Sequence, residues 1–310
     1  MSQYHLVVGA GPVGRHVAAL LVERGEQVTL ASRSGRDTGL QAVRHLALDA
    51  ADADALTRAA EGAAVLYNCA NPANYTQWER VWPPLAASML TAVQASGAVY
   101  AITDGLYAYG PVQGPIHEGL PESATDHKGV LRAKLWAQAL AAHQAGRIRT
   151  VQVRASDFVG PGIGTNNGHI TRVLPAALQG KNVSMIGRTD QPHTFTDVLD
   201  VARTLTAAAA DPTAHGRVWH VPSNPPKTQV QALTDMLAAA GKPPVSVRGI
   251  PAGLLRAVGL VSPMTREIAE VSYQWTRPYL LDDSAVRAHF GIEPTPWDQV
   301  CRRTVESLNA

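Results

Sequence analysis

A chain of 310 residues, 45% hydrophobic and 17% charged, can bury a sizeable core and has the composition of an ordinary globular protein. A formal net charge of +2, with no block of Lys or Arg, argues against nucleic acid as a partner. The two cysteines, Cys69 and Cys301, form neither a disulfide framework nor a metal-ligand spacing, and no apolar run is long enough to span a bilayer.

The N-terminus enters a strand-like segment at once, without the basic and apolar regions of a signal peptide, so the expected location is the cytoplasm. Short β-branched runs follow at residues 5–8, 27–30, 43–48, 64–67, 99–102 and 148–153. Between them, Ala- and Leu-rich stretches with helical spacing predict helices over 15–24, 53–61, 85–96 and 130–144. Several close on a glycine suited to a left-handed cap, namely Gly25, Gly62, Gly97 and Gly146. This alternation predicts an α/β fold of Rossmann type, a doubly wound parallel sheet with helices on both faces.

After Arg154 the rhythm breaks at a Gly- and Asn-rich stretch, 160–168, read as loop. Helices are expected over 197–209, 229–240, 253–260, 265–275 and 297–308, with a strand at 217–221. The expected division is a dinucleotide-binding domain over 1–157, completed by about 195–222, and a mostly helical substrate lobe from 158–194 and 223–310.

The strongest chemical signal is Gly9-Ala10-Gly11-Pro12-Val13-Gly14 between the first strand and the first helix. One glycine permits the tight turn, one admits a pyrophosphate to the backbone, and one lets helix pack on strand. The phosphates then meet free N–H groups at the helix N-terminus. Cofactor choice is made at the end of the second strand, where an acid would hold the ribose 2′-hydroxyl of NAD. Ser32, Arg33, Ser34 and Arg36 stand there instead, with no acid, and suit the 2′-phosphate of NADP(H).

The whole chain resembles the extended short-chain dehydrogenase/reductase superfamily of nucleotide-sugar epimerases, dehydratases and related reductases. Asn68-Cys69-Ala70, the segment from Thr103 to Gly110, Arg154 with Gly160-Pro161-Gly162, and the run from Thr194 to Ala202 carry the likeness. The resemblance implies that Asp49 contacts adenine, that Asn68 and Ala70 border the cofactor, and that Lys134 holds the ribose hydroxyls. It implies a small-molecule substrate and a twofold homodimer built from the helices over 85–96 and 130–144, with Trp136 either an anchor of that interface or turned to the sheet.

This sequence departs from the pattern at the chemistry. Val130 stands where the family has its catalytic tyrosine, four residues before Lys134, and Gly105 stands at the catalytic serine. The glycine spacing is that of an atypical subgroup. Tyr107 falls where dehydratases of the superfamily place an acid, and is the candidate replacement proton donor, with Lys134 beside it in the catalytic set. His127, His169 and His193 are expected in loops, as exposed side chains. No metal-ligand motif or nucleophile elbow occurs. Two functions follow from these residues: an NADP(H)-dependent oxidoreductase or epimerase/dehydratase-like enzyme, or an NADP-binding sensor that has lost its chemistry.

Overall fold

The computed structural model describes residues 3–72 and 74–309. The elements run β1 (Tyr4–Val8), α1 (Pro12–Glu23), β2 (Gln27–Ser32), β3 (Val43–Ala47), α2 (Ala53–Ala60), β4 (Val65–Asn68), α3 (Trp78–Ser96), β5 (Val99–Gly105), α4 (His127–Gln144) and β6 (Arg149–Ala155). They continue with β7 (Asp157–Val159), α5 (Gly164–Asn167), α6 (Leu174–Leu178), β8 (Val183–Ile186), β9 (Phe195–Asp197), α7 (Val198–Ala210) and β10 (Val218–His220). The remainder is α8 (Gln229–Ala239), β11 (Val247–Ile250), α9 (Ala252–Gly259), α10 (Pro263–Glu270), α11 (Tyr273–Thr276), α12 (Ser284–Phe290) and α13 (Trp297–Asn309).

Two compact units emerge. The first comprises residues 1–104, 130–154 and 201–221, and the second 105–129, 155–200 and 222–310. The first holds the seven-stranded parallel sheet in the order β10-β6-β5-β4-β1-β2-β3. The order reverses between β1 and β4, the switch point at which open α/β sheets bind ligands beyond the strand carboxyl ends. Leu6, Leu30, Leu66, Ala101 and Val151 are almost wholly buried along the central strands, as expected where helices cover a parallel sheet.

Two helices start earlier than their apolar spacing suggests. Pro83 and Pro84 lie inside α3, which begins seven residues upstream of the expected start. Trp78 and Trp82 are both 2% exposed, and this burial outweighs the backbone hydrogen bonds that the prolines remove. Helix α4 begins at His127 because Asp126 accepts a hydrogen bond from Gly129 N at 2.8 Å, a cap at the third helical position. Trp136 is 5% exposed within the first unit, so of its two expected places it takes the one in the chain's own core.

A buried polar chain ties α4 to the sheet. Arg132 Nε donates to Asp104 Oδ1 at 2.7 Å, Gln152 Nε2 to Asp104 Oδ2 at 3.0 Å, and Arg154 Nε to Gln152 Oε1 at 2.8 Å. The Arg132 guanidinium also lies 4.0 Å above the Trp82 ring, a cation–π contact that joins α3 to the same cluster. The cavity among these residues is about 20 Å³, room for about one water and too small for a ligand.

The second unit has two two-stranded parallel sheets, β11–β8 and β7–β9. Its main core joins α6, α8 and α13 through Leu174, Leu233, Met236 and Val300. Residues 105–129, expected in the dinucleotide-binding domain, belong here, because Leu106, Tyr109 and Ile116 pack with Tyr279. The 160–168 stretch contains one helical turn, α5, where loop was expected. The expected helix over 265–275 is two helices, with Ser272 Oγ donating to Ala269 O at the break.

His169 and His193 are buried, contrary to expectation, since each finds polar and aromatic partners inside this unit. Trp275 Nε1 donates to Asp157 Oδ2 at 2.7 Å, and His193 Nε2 lies 3.0 Å from the same oxygen. The His169 ring stacks on Trp275 with centroids 4.5 Å apart. Its Nε2 donates to Gln229 Oε1 at 2.7 Å, while Gln229 Nε2 donates to Ile186 O and Arg188 O. No acceptor faces Nδ1, so a second proton there would be unsatisfied.

Burial, only partly offset by Asp157, lowers the His169 pKa from 6.5 to about 4. Burial would raise Asp157, but the neighbouring His193 charge and hydrogen bond hold it down at about 2. Between pH 6.5 and about 4 the unfolded chain binds a proton at His169 that the folded chain refuses, so stability falls as pH drops through that window. The Asp157 contribution is lost only below its unfolded value of 3.8. The expected loss from His169 is up to about 3 kcal/mol. Urea midpoints for His169→Phe, which keeps the stack on Trp275, should fall less steeply with acid than wild type. Parallel slopes would refute this assignment.

Candidate cofactor and substrate site

The cofactor candidates Gly9, Gly11, Pro12, Val13, Gly14, Ser32, Arg33, Arg36, Asp49, Asn68, Ala70 and Lys134 all fall in the first unit. Gly9 has φ +109°, and a Cβ there would sit 2.6 Å from the Cys69 carbonyl. At Gly14 a Cβ would lie 1.9 Å from Gly9 O, so α1 meets the β1 turn backbone to backbone. Gly11 has nothing within 4 Å of its would-be Cβ, which leaves open space above the N-terminus of α1. Pro12 occupies the first helical position, and Gly11 offers no side-chain cap to the following N–H groups. The cradle is tight where the protein meets itself and open where a phosphate would lie.

At the end of β2, Ser32 Oγ accepts from Gly35 N at 3.2 Å and Ser34 Oγ from Arg36 N at 3.3 Å, shaping a compact turn. Arg33 and Arg36 are exposed, and among the described residues neither pairs with an acid. Two unpaired guanidinium groups in this turn fit a 2′-phosphate. Asp49 is exposed just after β3, with Oδ1 accepting from Ala51 N. The buried Asn68 donates to Tyr100 OH at 3.0 Å and accepts from Ala70 N at 3.3 Å, so its amide shapes the β4 turn. Burial pushes the neighbouring Cys69 thiol up to about 12, leaving it an inert filler rather than a nucleophile. Lys134 is exposed on α4, and Val130, one turn earlier, is 49% exposed.

The second unit carries Tyr107. A Cβ at Gly105 would fall 2.8 Å from Tyr107 Cε2 and 3.0 Å from Cδ2, so the phenol ring occupies the space a serine side chain would need. The ring packs with Ile186, Leu255, Val271 and Trp275, giving an apolar, aromatic wall. At the start of α4, burial raises the pKa of Asp126, reinforced by the Glu270 charge. His127 pairs with Glu267 at 3.1 Å and with Glu270 at 2.6 Å, and the buried Lys128 ammonium sits on the same two carboxylates. Lys128 supplies the positive charge that a cation would otherwise bring there.

Sequence reading missed the Asp157–His193–Trp275 cluster. Its members lie far apart along the chain, and only His193 stood out, as an isolated residue.

The profile of the NAD dependent epimerase/dehydratase family matches residues 5–221. The 2-alkyl-3-oxoalkanoate reductase of Shewanella oneidensis is 26% identical, over 92% of this chain and 81% of that protein. The structure resembles UDP-glucose 4-epimerase of Thermotoga maritima, with TM-score 0.81, 18% identity and 99% of each chain covered. It also resembles the NAD complex of dTDP-glucose 4,6-dehydratase from Bacillus anthracis, with TM-score 0.80, 16% identity and 99% and 97% covered.

Two glycine variants separate cofactor binding from packing. Gly14→Ala should destabilise the chain by about 1–3 kcal/mol and weaken NADPH binding, because α1 must retreat. Gly11→Ala should leave the melting temperature unchanged and still weaken NADPH, since its methyl group enters only the open space. Calorimetry and thermal melts distinguish the two, and a Gly11→Ala protein with wild-type affinity would show that the cradle is assigned wrongly.

Proposed function

The chain belongs to the NAD dependent epimerase/dehydratase family, and from that premise we propose that it is an NADP(H)-dependent oxidoreductase acting on a small carbonyl substrate. The relative named for 2-alkyl-3-oxoalkanoate reduction supports carbonyl reduction over sugar epimerisation and makes 3-oxo acids the first substrates to try. The nicotinamide, when bound, supplies the hydride. Arg33 and Arg36 hold the 2′-phosphate, the backbone around Gly11 the pyrophosphate, and Lys134 the ribose hydroxyls.

Tyr107 donates the proton to the substrate oxygen. The observation that carries this reading is the Tyr107 ring lying over Gly105: the position that lost its serine is occupied by another hydroxyl-bearing side chain. An NADP-binding sensor without turnover is the competing reading, favoured by Val130 at the tyrosine position.

Arg33→Ala should weaken NADPH by about 1–3 kcal/mol and leave NADH almost unchanged. An equal loss for both cofactors in calorimetric titration would refute the NADP preference. On a carbonyl substrate that consumes NADPH, Tyr107→Phe should lower turnover by roughly 10²–10⁴-fold without altering NADPH affinity. Wild-type turnover in that variant would remove Tyr107 from the chemistry.

A further inference from the structure

Helices α9 and α10, joined by residues 260–262, cross closely at Gly259, where a Cβ would be 3.1 Å from Arg266 Cα. Arg266 Nε donates to Gly259 O at 3.2 Å and fixes the crossing. Leu255 on the inner side of α9 is 8% exposed, packed with Ile186, Val271 and Trp275. The outer side is different. Leu254 is 55% exposed, Val258 42%, Leu260 79%, Val261 86% and Met264 38%. Five of the seven most exposed large apolar side chains among the described residues therefore lie within eleven consecutive positions. Scattered exposed apolar residues need no explanation, but a cluster at one tip does.

The charge in the sequence about that tip is of one sign. Residues 236–266 include Lys242, Arg248, Arg256 and Arg266 and no Asp or Glu. All four cations are exposed. The acids that flank this stretch are engaged, Asp235 by Lys227 and Trp297, Glu267 and Glu270 by His127 and Lys128. An apolar tip in a stretch whose only charges are exposed cations matches a surface that is apolar inside and anionic at its face. Nucleic acid would match the cations but leave Leu260 and Val261 in water.

We propose that the α9–α10 hairpin docks on an anionic lipid surface, with Leu260 and Val261 entering the acyl boundary and Arg248 and Arg256 meeting lipid phosphates. The attachment is peripheral: among the described residues, no helix is long and apolar enough to cross a membrane. The inference does not depend on the catalytic assignment, because none of these residues belongs to the cofactor cradle or the Tyr107–Gly105 contact.

The test is co-sedimentation of the full chain with vesicles of equimolar phosphatidylcholine and phosphatidylglycerol, and with phosphatidylcholine alone. Wild type should sediment with the anionic vesicles and be released as salt rises. The double variant Leu260→Asp/Val261→Asp should lose binding by about tenfold or more. Arg248→Glu/Arg256→Glu should lose the preference for anionic lipid. Both should keep wild-type melting temperature and NADPH affinity, since the altered side chains are exposed. Wild type left in the supernatant at low salt, or variants that sediment like wild type, would overturn the proposal. So would light scattering in which Leu260→Asp/Val261→Asp turns a dimer into a monomer, because a second copy would then cover the tip.

Discussion

The cofactor half of the molecule depends on one close approach, the passage of α1 against the turn that leaves β1. A single methyl group at Gly14 would overlap Gly9 O, and one at Gly9 would overlap the Cys69 carbonyl. Dispersion and hydrogen bonding hold three backbone segments together there, with only the Cys69 side chain beside them. Gly9 N donates to Ala31 O and Cys69 N to Val8 O, so β1, β2 and β4 share the constraint. Helix α1 therefore presents its first N–H groups at the sheet's switch point, and the exposed arginines at the end of β2 stand on a strand hydrogen-bonded to the same turn.

A second constraint runs through the buried polar groups. Asp104 takes Arg132 and Gln152, and Gln152 takes Arg154, so a carboxylate and two guanidinium groups are accommodated beneath α3 and α4. In the other unit Asp157 takes His193 and Trp275, and Asp200 accepts from both Thr295 N and Thr295 Oγ1. Replacing one partner in any of these sets would strand a charge in a low-dielectric interior, which costs more than the pair contributes. These clusters make each unit specific about its packing. They also explain why histidines that look like loop residues in the sequence are interior parts.

Two of the departures from the family pattern meet in space. Gly105 and Tyr107 are neighbours in space, the ring lying where a serine would project. Val130 opens a half-exposed apolar position one turn before Lys134. The wall around Tyr107 is built of Ile186, Leu255, Val271 and Trp275, and the outer side of the helix that carries Leu255 bears the exposed apolar tip.

What the sequence determined by itself is what local forces set. The alternation of β-branched runs with alanine-rich stretches predicted the parallel sheet, and the glycine spacing after β1 marked the cradle. The family match over residues 5–221 agrees with that reading at the level of a nicotinamide dinucleotide. Both signals depend on residues a few positions apart, where backbone geometry and side-chain period act directly. Tertiary structure alone decided the rest. Trp78 and Trp82 carry α3 through two prolines by burial, which no helix propensity foretells. Residues 105–129 join the second unit through contacts with Tyr279. Asp157 meets His193 and Trp275, Tyr107 covers Gly105, and the hairpin tip stays uncovered, because distant segments either arrive at those places or do not. Burial and ion pairing are properties of neighbours in space, and a linear pattern does not contain them.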